Sequence, residues 1–88
     1  MNNILIEVIL DSSELIAQGF GGRDEVEEIL EDVLFKIDLG EITGGGTGMG
    51  KSMIDVEITD ENRLDEALEI IRKTLQNSNL SAQLEVRR

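Results

Sequence analysis

The string GGTGMGKS at residues 45–52 contains the residue types that bind phosphate in nucleotide-binding proteins. It matches the pattern G-x-x-x-x-G-K-S, in which a helix N-terminus and its amides hold the phosphates and the lysine reaches them. That chemistry needs a helix directly after the lysine. Instead, Ile54, Val56 and Ile58 alternate with other residues, which is the period of a β-strand. The spacing therefore predicts that the glycines join two strands of a hairpin and bind no nucleotide.

Residue types that commonly perform catalysis are missing from the chain. It contains no Cys and no His, which removes thiol catalysis, the commonest general base and most structural zinc ligands. Neighbouring carboxylates can transfer protons, but they usually need a pocket that shifts their pKa values. The sequence accordingly predicts a protein that is not an enzyme, with no catalytic residues, no cofactor and no metal site.

Net charge indicates which partners the protein can bind. Nineteen acidic and eight basic residues give a formal charge of −11, and most of the excess lies in residues 1–50, with eleven acids and two bases. Nucleic-acid binding needs clustered Lys and Arg, and single-strand binding usually adds stacking aromatics, of which there are two. We therefore expect a basic protein partner and no nucleic acid.

The length and the apolar content predict one small domain. Eighty-eight residues suffice for a single core, and 40 % hydrophobic residues with two aromatics make that core aliphatic. Residues 1–10 are apolar but lack a basic flank and contain Glu7, so they predict neither a secretory signal nor a membrane span. We expect one domain over residues 1–88, a cytoplasmic location and no membrane partner.

Periodicity in the first half predicts a strand, a loop, a helix and a second strand. Residues 4–10 are a continuous aliphatic run of strand length, and residues 11–22 are interpreted as a loop with at most one helical turn. From Asp24 to Lys36 the apolar residues recur at helical spacing, and Asp24 with Glu27 could form a capping box. The predicted apolar stripe is Val26, Ile29, Leu30, Val33 and Leu34. A strand over residues 37–43 follows, in which Gly40 could mark a bulge.

The second half predicts a strand, a helix and a last strand. Residues 53–59 alternate as a strand, and a helix begins near Thr59 or Asp60 and ends at residues 77–79. Its predicted buried residues are Leu64, Ala67, Leu68, Ile71 and Leu75. Alternation over residues 80–86 predicts the final strand.

The order βαββαβ predicts an α+β, ferredoxin-like sandwich. Two strand–helix–strand units fold most economically as a four-stranded antiparallel sheet with both helices on one face and the first and third strands in the centre. The other face would stay open, and alternation assigns Glu7, Asp55, Glu57, Gln83 and Glu85 to it. Leu5 and Ile9 would lie among them. Such a face lacks the aromatics and bases of an RNA-recognition domain.

Two acidic surfaces are candidates for binding a partner. The first helix carries six acids with no base between them, so like charges occur at i and i+4, which destabilises an isolated helix. These candidates are Asp24, Glu25, Glu27, Glu28, Glu31 and Asp32, with Glu7, Asp55 and Glu57 on the open sheet face as the second group. A solvated face that aids solubility explains the helix equally well.

The glycine-rich hairpin also carries a family resemblance. The segment LGEITGGGTGMGKSMIDVEI at residues 39–58, followed by an acid-rich helix, resembles the glycine-loop hairpin of small stand-alone ferredoxin-like bacterial proteins. Some small acidic proteins of that kind look like immunity proteins, which neutralise a cognate toxin, often a basic nuclease. The resemblance covers residues 39–75 and implies a non-enzymatic inhibitor of a basic toxin.

Three functional hypotheses follow from these observations. The first is an acidic protein-binding module, most concretely an immunity-type inhibitor that presents carboxylates to a cationic cleft. The second is a small-molecule regulatory domain similar to ACT-type domains, which pairs as a homodimer and binds a ligand near the glycine loop. The third is a divalent-cation site on the acidic sheet face, although no EF-hand spacing is present.

Overall fold

The computed structural model describes residues 3–87 as an α+β protein with one four-stranded antiparallel sheet. In chain order the elements are β1 (Ile4–Asp11), α1 (Ser12–Ala17), α2 (Arg23–Lys36), β2 (Glu41–Gly48), β3 (Lys51–Ile58), a 3₁₀ turn (Glu61–Arg63), α3 (Leu64–Asn77) and β4 (Ala82–Arg87). The strands lie in the order β2-β3-β1-β4. The predicted α+β class and the central position of β1 and β3 are confirmed, and the arrangement is consistent with a ferredoxin-like fold.

The core lies between one face of the sheet and the helices. Alternate residues of the two central strands are buried, and α2 and α3 contribute apolar residues to the same cluster. Because β1 and β3 pair with Ile6 opposite Val56 and Val8 opposite Ile54, their buried side chains share one face. The opposite face carries no helix in the described chain, as the alternation predicted.

Helix α2 is rotated about its axis relative to the predicted stripe. Val26, Leu30 and Leu34 are buried, but Ile29 is 36 % exposed and Val33 is half-buried. The half-buried side of the helix instead includes Arg23 and Glu27. The expected burial of Ile29 is therefore wrong, and Leu68 of α3, which was also expected to be buried, is half-buried.

The second strand begins later in the chain than the sequence predicts. Residues 37–43 were expected to be extended, but α2 ends at Lys36, and Asp38 has φ 50°, a left-handed conformation typical of a helix C-terminus. Leu39 then donates its amide to the Leu34 carbonyl oxygen (3.0 Å) and is buried in the core. The apolar residues of this segment thus hold the chain against the core where it leaves α2. β2 begins only at Glu41.

The glycines form a strand rather than a loop. Gly44, Gly45, Gly46 and Gly48 belong to β2, and the connection to β3 is the two-residue turn Met49–Gly50. Both turn residues have positive φ, 52° and 78°, as a type I′ hairpin turn requires. The irregularity in the β2–β3 ladder lies between Ile42 and Gly44, not at Gly40, so the expected bulge is displaced.

The helix starts differ from the predicted caps. Gly22 precedes α2 and makes no side-chain capping bond, so the expected capping box of Asp24 and Glu27 is absent. Within the predicted loop of residues 11–22, Asp11 caps the six-residue helix α1 by accepting the Ser13 amide (2.9 Å). Asp60 does cap, but it caps the 3₁₀ turn before α3. The last strand starts at Ala82, and Leu80 is a buried connecting residue.

The rotation of α2 gives a matched pair of core variants. Leu30 is 1 % exposed, so we expect Leu30→Ala to lower the free energy of unfolding by about 2–5 kcal/mol, because the truncation leaves a cavity. The neighbouring Ile29→Ala should cost much less, since Ile29 is partly in solvent. Urea denaturation followed by circular dichroism measures both. Equal losses for the two variants would contradict the orientation of α2.

Candidate functional site

The phosphate-loop-like string lies in the β2–β3 hairpin and not at a helix N-terminus. Its glycines are strand and turn residues, and Lys51 is an exposed residue at the start of β3. Ser52 is buried and faces the helix layer, where its hydroxyl oxygen lies 2.8 Å from that of Ser12. The prediction that the string forms a hairpin is confirmed, and the serine serves to join β3 to α1.

A groove opens between α1, the start of α2 and the end of the hairpin. Its volume is about 500 Å³. Leu15 and Ile16 form its apolar wall, and its polar groups come from both helices and both hairpin strands. These polar residues are Ser12, Arg23, Asp24, Glu25, Thr47 and Ser52. Sequence reasoning missed this groove because it interpreted residues 11–22 as a loop, although Asp11 before Ser13 is a recognisable helix-capping pattern.

Arg23 connects the groove to the hairpin. Its Nη1 donates to the Thr47 hydroxyl (3.4 Å), and its Nε lies 3.0 Å from Glu27 Oε1. The Nε contact is ionic only, because this buried nitrogen makes no hydrogen bond of good geometry to any described residue. The arginine therefore lies over β2. Its guanidinium has hydrogen-bond donors for which the described residues supply no acceptor.

The six predicted acids of α2 divide into paired and unpaired groups. Glu25 accepts the Gly21 amide (3.0 Å), Glu27 pairs with Arg23, and Asp32 pairs with Lys36 (3.1 Å). Within residues 3–87, the carboxylates of Asp24, Glu28 and Glu31 have no ion pair or side-chain hydrogen bond. The structure thus places all six on one helix, but only three of them lack a partner in the described chain.

An exposed aromatic ring lies beside the unpaired acids. Phe35 is 81 % exposed and, with Glu28, Glu31 and Asp32, lines a shallow depression of about 370 Å³ on the solvent side of α2. Their spacing of i, i+3, i+4 and i+7 places them on one helix face. We call these four residues the α2 patch. Sequence reasoning identified its acids but missed the phenylalanine, which lies outside the apolar stripe.

The second predicted acidic group lies on the open sheet face. Glu7 of β1 is directly opposite Asp55 of β3 and also opposite Glu85 of β4, so like charges lie close together on this face. Glu7 pairs with Arg87 (3.3 Å), and Glu57 accepts a hydrogen bond from the Asn3 side chain (2.8 Å). Pairing within the protein therefore accounts for part of this charge.

Two carboxylates with lowered pKa values lie at the starts of helices, outside both predicted groups. Hydrogen bonds from Ser13 lower the pKa of Asp11, and the guanidinium of Arg63 lowers the pKa of Glu66. A carboxylate whose pKa is lower in the folded than in the unfolded state stabilises the fold when the pH is above the unfolded-state pKa. This stabilisation disappears as the pH falls through the folded-state pKa. These groups act on the stability of α1 and α3.

Neither a metal cluster nor a membrane-spanning helix is found in the described part of the chain. Among residues 3–87, no three or more acidic side chains converge to hold a metal ion. No helix in this range has both the length and the apolar character needed to cross a bilayer.

No protein-family model matches this chain, and the curated protein sequences contain no significant match.

The hairpin geometry makes a prediction about nucleotides. ATP or GTP with magnesium should leave the melting temperature unchanged, because no helix N-terminus follows the glycines. Lys51→Ala should change the free energy of unfolding by less than about 0.5 kcal/mol, as is usual for exposed side chains. Thermal unfolding with and without nucleotide measures the first effect and urea denaturation the second. A nucleotide-dependent rise in melting temperature that Lys51→Ala removes would contradict this assignment.

Proposed function

We propose that this protein is a non-enzymatic, acidic binding module of ferredoxin-like fold, most concretely an immunity-type inhibitor of a basic toxin. The observation that carries the proposal is the α2 patch, where the unpaired Glu28 and Glu31 lie beside the exposed Phe35. A basic surface with an apolar side chain at its centre would neutralise the carboxylates and bury the ring. Aromatic anchors with surrounding charge complementarity are typical of protein interfaces.

The run of acids on α2 is costly for the isolated protein. The pairs Asp24–Glu28, Glu27–Glu31 and Glu28–Asp32 are like charges at i and i+4, each destabilising a helix by up to about 0.5 kcal/mol. Arg23 and Lys36 offset part of this at the two ends, but Glu28 and Glu31 lie between them. Binding to a cationic surface would remove the repulsion. It would therefore explain why α2 carries charges that the fold does not need.

The overall charge also supports a basic partner. A net charge of −11 on 88 residues produces a field that attracts cationic proteins and accelerates their encounter. The absence of Cys and His from the whole sequence supports a binding role over a catalytic one. In this proposal the protein acts by covering a cationic active site, without chemistry of its own.

Charge reversal on α2 tests the proposal. We expect the double variant Glu28→Lys, Glu31→Lys to slow association with the partner by roughly tenfold or more and to remove most of its salt dependence, as electrostatic steering predicts. The partner is captured from a lysate of the source cells on the immobilised protein, identified, purified, and studied by stopped-flow mixing at low and high salt. Glu27 is left unchanged because it pairs with Arg23.

The matched control makes the same change in net charge on the other long helix. Asp65→Lys, Glu69→Lys replaces two exposed acids of α3, so it should reduce the association rate only slightly. An equal effect of both double variants would mean that net charge alone acts. Unchanged kinetics for the α2 variant would refute α2 as the recognition surface.

A small-molecule regulatory domain of ACT-like type is the second candidate, and the groove favours it. Arg23 and the hydroxyls of Ser12, Thr47 and Ser52 could bind a carboxylate, while Asp24 and Glu25 at the rim could bind an ammonium group. This set of groups suits a small zwitterion such as a free amino acid. A groove lined by apolar and a few convergent polar groups is the usual form of such sites.

Filling the groove tests this second candidate. If a free amino acid raises the melting temperature in a thermal-shift panel, Gly22→Leu should abolish the rise, because Gly22 lines the groove and has open space around it. Gly48→Leu is the control, since Gly48 also has open space but lies outside the groove lining. A panel in which no amino acid stabilises the protein would remove the support for this candidate.

A further inference from the structure

The outer edge of β2 is an unprotected sheet edge. The strand order places β2 at one end of the sheet, and no described element pairs with its outer side. Natural edge strands are usually protected by Lys, Pro or other charged residues. The sequence EITGGGTG of β2 contains a single charge, Glu41, at its start. By contrast, the other edge strand, β4, is shorter and carries Glu85 and Arg87.

The fold does not require all the glycines of β2. Gly45 is needed, because a Cβ there would collide with the Met53 carbonyl oxygen and approach the side chains of Arg23 and Glu27. At Gly46 a Cβ would meet only the Met53 Cε, at 3.9 Å, and at Gly48 it would meet nothing within 4 Å. Neither of these two glycines has a φ in the left-handed range that favours glycine. Glycine weakens a strand. Where packing within the protein does not require a strand glycine, close approach of another backbone is a recognised reason for its presence.

Carboxylates border this edge on the open face of the sheet. The Asp55 Oδ2 lies 3.4 Å from the position that a Gly44 Cβ would occupy, so it extends over the strand where a side chain is missing. Asp55 makes no ion pair with any residue of the described chain. The exposed Glu41 lies opposite Glu57 at the start of β2. Side chains of an added strand that face this side would therefore meet negative charge.

We infer that the edge of β2 binds an extended basic segment of the protein partner as a fifth strand, with Lys or Arg at alternate positions facing Glu41 and Asp55. Backbone hydrogen bonds would supply the affinity and the alternate side chains the specificity, as in other cases of strand addition. This inference rests on the proposed function and specifies how the partner is held. A second copy of the chain is a poorer occupant, because it would bring two molecules of charge −11 together.

The α2 patch and the β2 edge can contact one partner together. Helix α2 packs on β2, with Arg23 bonded to Thr47 and Glu27 close to Gly45. The helix therefore lies over the β2 end of the sheet, so the α2 patch and the β2 edge lie at the same end of the molecule. At the hairpin tip the fully exposed Met49 adds an apolar contact at the end of the same edge.

Peptide addition monitored by NMR tests the inference. The probe is an eight-residue peptide of alternating Lys and Val, added to the isotope-labelled full chain at up to millimolar concentration. We expect amide shifts and slowed hydrogen exchange in Glu41–Gly48 that weaken with salt. A peptide with the same charges but N-methylated at alternate residues on its pairing edge should bind at least tenfold more weakly, because it lacks the backbone donors.

Two variants at one position separate charge from backbone pairing. Gly46→Lys places a cation beside Met53 and near Asp55, so it should weaken binding of the lysine peptide several-fold. Gly46→Ala is the matched control for charge, because a Cβ there has room within the fold and adds no cation; it should weaken binding less than Gly46→Lys does. Both variants should fold, which their amide spectra check directly.

Four outcomes would overturn the inference. Shifts confined to α2, or equal binding of the N-methylated peptide, would reject strand addition while leaving electrostatic recognition by α2 intact. Failure of the lysine peptide to bind would also reject it, and the proposed function would then be judged separately by the α2 charge reversal on the captured partner. Concentration-dependent shifts of β2 without peptide would show that a second copy occupies the edge.

Discussion

Burial of one face of the sheet is the constraint on which the rest of the structure depends. Ile6, Val8, Ile54 and Val56 on the central strands are fully buried against the helices, and almost no aromatic residue is available to enlarge this layer. A domain of this size has only one such core, so its stability is concentrated in the contact between β1, β3, α2 and α3. The helices cover only that face, which leaves the opposite face and the β2 edge outside the core.

Contact between α2 and β2 accompanies the rotation of the helix. Arg23 and Glu27 lie over β2 as an ion pair, close to Gly45. This side of α2 is half-buried, whereas Ile29 lies partly in solvent. Glu28, Glu31 and Phe35 lie on the exposed side of the helix. A polar contact with β2 thus replaces part of the apolar stripe that the periodicity predicted.

Sequence periodicity predicted the parts of the fold in which apolar residues repeat, and it failed where they do not. The alternation of β1 and β3 and the helical spacing of α2 and α3 identified those elements, since burial on one face imposes the pattern. β2 has no such pattern, because glycines occupy half of its length. Ile37 and Leu39 were mistaken for strand residues, whereas the left-handed Asp38 turns the chain so that Leu39 enters the core. The groove and Phe35 depend on tertiary placement, which no local pattern contains.

Features that the fold does not need are concentrated at one end of the sheet. The core requires neither the unpaired Glu28 and Glu31, nor the exposure of Phe35, nor glycine at positions 46 and 48. The like charges and the strand glycines lower the stability of the isolated chain. Selection for stability alone would replace these residues one at a time, because replacing one of them does not depend on replacing another. Their location around α2 and β2 is instead what one binding surface would require. A basic partner that buries the phenylalanine and pairs with β2 would account for the charges, the ring and the glycines together.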